Sequence, residues 1–129
     1  MYKRQGKNRA LIEQILHPKI IHKMKTMMDD CKQGVIIVVI PLLVEKELWG
    51  PFDRAVLVDC ESETQITRLI KRENIDLEKA KAMLMAQASR EQRLKLDEHL
   101  PTDIIENNAR LSDLKDKVQL LNQKLFSLI

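Results

Sequence analysis

The run VIIVVI, Val35 to Ile40, constrains the fold more than any other feature of the chain. A strand with one wet face alternates apolar and polar residues, whereas a strand covered on both faces does not. The length of the run and its β-branched residues suit the pleated form. It therefore predicts a central parallel strand with helices on both sides. The run stops on Pro41, and Leu42, Leu43, Val44 and Glu45 follow. A second run, AVLVD from Ala55 to Asp59, has the same character, and a shorter one, DIIEN, covers Asp103 to Asn107.

Helical patterns separate these runs. Leu11, Ile12, Ile15 and Leu16 recur at helical spacing. His17-Pro18 is expected to break that helix, because a residue before proline is pushed out of the α region. Pro18 then suits the first turn of a second helix over about 18–32, with Ile20, Ile21, Met24, Met27 and Met28 on one side and Gly34 ending it. Ser62 with Gln65 reads as a capping box opening a helix over 63–73. Asp76 is a candidate cap for a helix reaching about 93, and Ser112 and Asp113 suit the start of a last one, striped by Leu114, Val118, Leu121 and Leu125. Strands alternating with helices predict an α/β fold with a parallel sheet. Ligands in such folds bind at the carboxyl ends of the strands. Pro41, Leu42, Leu43, Glu45, Asp59, Asn107 and Asn108 are placed at such ends.

At 129 residues, 44% hydrophobic and 32% charged, the chain is of a size and composition for one folded domain. Residues 1–33 carry eight Lys/Arg against three acids, and the remainder fourteen against sixteen. The basic first quarter is either a solvated helical face or an attractor of anionic ligands. With 3% aromatics and no recognised motif, nothing supports nucleic-acid binding by stacking. Cys31 and Cys60 lie in no metal-like spacing and read as reduced thiols. No apolar run approaches the ~18 residues needed to span a bilayer, and no signal-peptide core is present, so the expected location is the cytoplasm.

The arginines carry the clearest chemical pattern. Arg68 and Arg72 are four apart on one helix, and Arg90 and Arg93 three apart near the end of the next. Arginine's planar fork grips phosphate oxygens, so two such pairs can form a lid over a polyphosphate; alternatively they pair with Glu73, Glu91 or solvent. Glu45 either caps a short helix over 42–48, faces water, or binds a hydroxyl or the water shell of a cation. His17 either stabilises the turn before Pro18 or contacts ligand. His22 and His99 form no triad or metal set. A phosphate-cradling loop needs closely spaced glycines followed by Lys and Ser/Thr, and Gly6, Gly34 and Gly50 are each alone.

The segments LIEQILHPKI, VIIVVIPLLVEKELW, FDRAVLVDCESETQITRLIKR, AMLMAQASREQRL and TDIIENNA follow one another in this order between Leu11 and Ala109, within a resemblance that covers about residues 9–125. In order and spacing they resemble dephospho-CoA kinases. The resemblance implies a P-loop-kinase-like, three-layer α/β fold with helical substrate and lid segments. It implies transfer of the ATP γ-phosphoryl group, with Mg²⁺, to the ribose 3′-hydroxyl of dephospho-CoA, the last step of coenzyme A synthesis. VIIVVI resembles the core strand beside the nucleotide loop. His17, Pro41, Leu42, Leu43 and Glu45 match substrate-side positions, with Val44 where phenylalanine is commoner. Arg68, Arg72, Arg90 and Arg93 match the lid and its flank, and Asn107 and Asn108 the adenine side. Residues 1–8 do not resemble the family; 9–33 match its helical substrate part, 34–60 its core strands and PLLVE loop, 61–98 its lid and flanking helices, and 99–129 its last strand and helix.

The sequence departs from the pattern in two places. Ala109 stands where the family usually has glycine, so the adenine-side turn is expected to be altered. The strand, Gly-Lys-Ser/Thr loop and acidic segment with which family members begin do not occur in these 129 residues, including the part that holds most of the metal and ATP contacts. The expectation is a fragment, inactive alone and exposing sheet edge and core. Two other readings stand beside it: another small P-loop kinase, such as a nucleoside monophosphate kinase, and a non-catalytic module binding nucleotide or CoA-like ligands. No metal ligands are assigned within the chain.

Overall fold

The computed structural model describes residues 2–129, with side chains from residue 10 onward. The chain forms two compact units, one reaching to Val38 and including Ile129, the other Val39–Leu128. The first is built on one helix, α1 (Tyr2–Asp29), which runs through Pro18 without a break. The expected pair of helices is thus a single one. A proline inside a helix removes one N–H and crowds the carbonyl four residues back, here Gln14, but the turns on either side keep their own bonds. Gly34 lies beyond the helix end, in the left-handed region at φ +94°. The apolar stripe of α1 is largely uncovered: Leu11, Ile12, Ile15, Leu16, Ile20 and Met27 are exposed, and Ile21, Met24 and Met28 half-buried.

Val35–Ile40 does not form the expected strand. The segment carries no ladder, and Ile37 and Val39 are 78% and 87% exposed. A strand needs a partner whose backbone groups satisfy its own, and the strands present among the described residues pair only with each other. Residues 41–51, where a short helix over 42–48 is one of the alternatives, are a chain of turns, closed by Lys46 N–H to the Leu42 carbonyl and Leu48 N–H to the Leu43 carbonyl.

The second unit is organised on a two-stranded parallel sheet, β1 (Ala55–Asp59) and β2 (Thr102–Glu106), in register from Ala55 opposite Thr102 to Asp59 opposite Glu106. β1 has the limits expected of AVLVD, and β2 starts one residue before DIIEN and ends one before it. Between them come α2 (Ser62–Glu73), α3 (Leu77–Met85), α4 (Arg90–Leu94) and a 3₁₀ turn (Lys95–Glu98); α5 (Leu111–Phe126) follows β2 and packs on it. Ala55, Leu96 and Leu100 form the buried core, with Leu43, Val44, Trp49 and Phe52 packed against it. Trp49 stacks on His99, ring centroids 4.4 Å apart.

The caps differ from expectation in one case and agree in another. Ser62 is not a cap: Glu61 occupies the N-cap position without a side-chain bond. Its own N–H is satisfied by Asn108 Oδ1 at 2.8 Å, from the loop after β2, which makes a local box unnecessary. Asp76 caps α3 as expected, accepting from Lys79 N–H. The helix expected to continue to about 93 stops at Met85, because Ser89 and Gln92 make a reciprocal capping box that starts α4 afresh. On α5, Leu114, Leu121 and Leu125 are half-buried but Val118 is exposed. Met83 and Met85 are exposed.

Candidate functional site at the carboxyl edge of the sheet

Parallel strands end side by side, so the residues that close β1 and β2 meet at one edge. Asp59 is the last residue of β1 and is 3% exposed. A buried carboxylate requires a partner, and α4 supplies it. Arg90 Nε donates to both Asp59 carboxylate oxygens at 3.1 and 2.9 Å, and Nη2 donates to Oδ2 at 2.7 Å. These bonds, and next the carboxylate charge, raise the Arg90 guanidinium above its ordinary range against a smaller effect of burial, so it stays charged. The Arg90 side chain itself is 39% exposed, against 2% for that of Asp59.

The loop after β2 is tied to the same edge. Asn107 N–H donates to the Asp59 carbonyl at 2.7 Å, and Arg68 Nη1 donates to the Asn107 carbonyl at 2.6 Å. Asn108 holds the start of α2 through Glu61. Arg68, Asn107, Asp59 and Arg90 therefore form one continuous chain of hydrogen bonds. Ala109 lies outside the left-handed region, where only Glu47 and Asn74 sit among the non-glycine residues described, so its backbone has no need of glycine.

The other expected residues take different positions. Arg72 pairs with its neighbour Glu73 at 2.7 Å in the open, as the simplest reading of a surface arginine has it. Arg93 lies on α4 with Arg90, not near the end of α3, and donates from Nη1 to the Ala88 carbonyl at 2.7 Å. Glu45 neither caps a helix nor faces water alone: its Oε1 accepts from Ala88 N–H at 2.9 Å. Both polar groups of Ala88 are thus held by side chains that the sequence pattern assigned to substrate and lid. Leu43 and Val44 pack on the core, Leu42 is half-buried and Pro41 exposed. Glu45 also lines a shallow cavity of about 500 Å³ with Trp49, Ala88, Gln92 and His99. His17 is exposed on α1, in the other unit.

Sequence reasoning missed the partnership of Asp59 with Arg90, although an acid closing an apolar strand is its signal. It also missed the Ser89–Gln92 box, whose S-x-x-Q spacing is plain in the sequence. No cluster of three or more His, Cys, Asp or Glu side chains among the described residues could hold a metal ion. Nor is any helix among them long and apolar enough to cross a membrane.

A family model described as dephospho-CoA kinase matches residues 2–113. The chain belongs to the dephospho-CoA kinase family. A dephospho-CoA kinase of Vibrio parahaemolyticus is 38% identical over 120 residues, covering 93% of this chain and 57% of that protein. One from Thiobacillus denitrificans is 38% identical over 121 residues, covering 93% of this chain and 58% of its own length. One from Vibrio cholerae is 34% identical over 120 residues, with 93% and 57% covered. The chain thus spans somewhat more than half the length of these relatives.

Proposed function

We propose that the chain carries the substrate- and lid-side portion of a dephospho-CoA kinase, which transfers the ATP γ-phosphoryl group to the ribose 3′-hydroxyl of dephospho-CoA. The observation that carries this reading is the linked set Arg68–Asn107–Asp59–Arg90 at the carboxyl edge of a parallel sheet. Phosphoryl transfer is catalysed mainly by positioning and by positive charge at the transferring group, and guanidinium groups fixed at such an edge fit that need. Arg68 and Arg90, with Arg72 and Arg93 flanking them, face the phosphates in this reading. Asn107 and Asn108 form the adenine side, and His17, Pro41, Leu42, Leu43 and Glu45 the substrate side. The Mg²⁺ that accompanies ATP in such reactions finds no cluster of three or more His, Cys, Asp or Glu side chains among the described residues.

In the same reading, these 129 residues, which carry no Walker A pattern, are inactive alone. The absence of closely spaced glycines favours one second reading, a module that binds dephospho-CoA or nucleotide without turnover.

The test is CoA formation from dephospho-CoA and ATP, by the purified chain and by a chimera carrying the amino-terminal part of the Vibrio parahaemolyticus relative ahead of it. Turnover by the chimera alone supports the kinase reading. A folded chimera that forms no CoA, or that prefers nucleoside monophosphates, overturns it. Turnover by the 129 residues themselves overturns their inactivity. Tight dephospho-CoA binding by the chain, with no activity in the folded chimera, supports the binding module.

A further inference from the structure

We propose that Asp59 is a positioning residue, which locks the inner edge of the Arg90 guanidinium so that its Nη1 end is presented as a fixed grip for a phosphate oxygen. The inference rests on the kinase reading for its phosphate ligand, but not for its geometry. An arginine has five N–H donors in a rigid fork. Asp59 engages Nε and Nη2 only, through three contacts of 2.7–3.1 Å, and Nη1 has no acceptor among the described residues. The Asp59 side chain is 2% exposed while that of Arg90 is 39% exposed, so the carboxylate is sealed in and the arginine that it holds still reaches solvent.

The bond network extends the lock. Asp59 is held by its own strand, and its carbonyl accepts from Asn107 N–H. Arg90 opens α4, whose start is fixed by the Ser89–Gln92 box and by Glu45 and Arg93 on the two sides of Ala88. A long, flexible side chain thereby loses its freedom before any ligand arrives, and pre-ordering of this kind is what sharpens a phosphate contact. Arg72, exposed and paired with an exposed neighbour, has no comparable anchor.

Charge and geometry make opposite predictions here. The Asp59–Arg90 pair is neutral overall, so if Arg90 acted as a loose charge, removing the Asp59 charge would strengthen anion binding. If Asp59 positions the fork, the same change weakens it. The full 129-residue chain is titrated with inorganic tripolyphosphate while the Arg90 Nε–H resonance is followed by NMR, with Arg90→Lys used to assign it. The expected results are restricted guanidinium rotation of Arg90 in the free chain, a saturable response to tripolyphosphate, and binding weakened about tenfold in Asp59→Asn. Asp103→Asn, a change at the other end of the sheet, leaves the response intact and separates positioning from general loosening.

Three results overturn the inference: free rotation of Arg90 in the wild-type chain, no response of its resonance to tripolyphosphate, or Asp59→Asn binding equally or more tightly. The first two need no variant that might unfold. Failure of the chimera to make CoA while Arg90 still responds would sink the kinase reading and leave the grip standing.

Discussion

Glu45 offers the sharpest test of how the 41–51 turns and α4 are joined. Its Oε1 is the acceptor for Ala88 N–H, 2.9 Å away, and Ala88 is 8% exposed. Replacing Glu45 by alanine leaves that N–H buried without a partner, which costs about 1–3 kcal/mol. For a unit of this size, each kcal/mol lowers the melting temperature by roughly 4–8 °C, so Glu45→Ala should melt about 4–24 °C lower. Glu45→Gln keeps an oxygen acceptor and loses only the assistance of charge, so it should cost less, on the order of 0.5–1 kcal/mol. Thermal and urea unfolding followed by circular dichroism give both numbers, and amide exchange at Ala88 locates the effect. A Glu45→Ala chain within about 0.5 kcal/mol of wild type, with Ala88 as protected as before, would refute the argument, since a satisfied buried N–H cannot be removed at no cost. A carboxylate kept only for substrate would show that null result and weaken ligand binding instead.

Pro18→Ala should stabilise α1 by up to about 3 kcal/mol, since it restores an N–H and removes the ring from the helix interior; a lower helical signal at 222 nm or a lower melting point would contradict this. Glu47 sits at φ +50° with a full side chain, so Glu47→Gly should gain up to about 1 kcal/mol in urea unfolding, and a loss would show that its side chain contributes more than the strain costs. Asp103 accepts from Arg54 Nε at 2.5 Å and from Lys124. The Arg54 bond, opposed by burial and assisted by Lys124, holds its carboxyl below the usual carboxylate range. A lowered folded value gives stability that is complete above the unfolded value near ~4 and is lost as the pH falls through the folded one. Asp103→Asn should therefore lower stability at neutral pH and flatten the acid limb of the stability curve below about pH 4; an unchanged acid limb would show that the cluster contributes nothing.

How much was legible in the sequence depended on how local its cause was. AVLVD carries its own pattern, and β1 has the expected limits. Asp76 caps α3 through a bond to a residue three positions on, and that spacing is visible in the chain. The tie at the start of α2 is not local: the N–H of its N-cap residue Glu61 donates to Asn108, which comes from the far side of β2, and no window around Ser62 contains it. VIIVVI shows a different limit. Composition states what a segment would do if covered and paired, but pairing is a property of two segments. Pro18 failed as a breaker because a rule about dihedral preference competes with the bonding of the whole helix on either side.

The arginines show why spacing located the edge but not its chemistry. Four residues at helical intervals look equivalent when counted as charges, and the functional question is which donors each has left. Arg72 has spent its Nε on an exposed neighbour, and Arg93 and Arg68 each give an Nη1 to a backbone carbonyl. Such bonds fix loops and helix starts, as Arg93 does for the peptide before Ser89. Arg90 alone of the four is bound through Nε and Nη2 to a buried carboxylate, which orders the group and leaves Nη1 without an acceptor among the described residues. A buried ion pair adds little net stability for the desolvation it costs, so stability is a poor reason to keep this one. Orientation is the better reason, because a neutral pair that holds a fork in place gives up general attraction for anions in exchange for a defined contact with one.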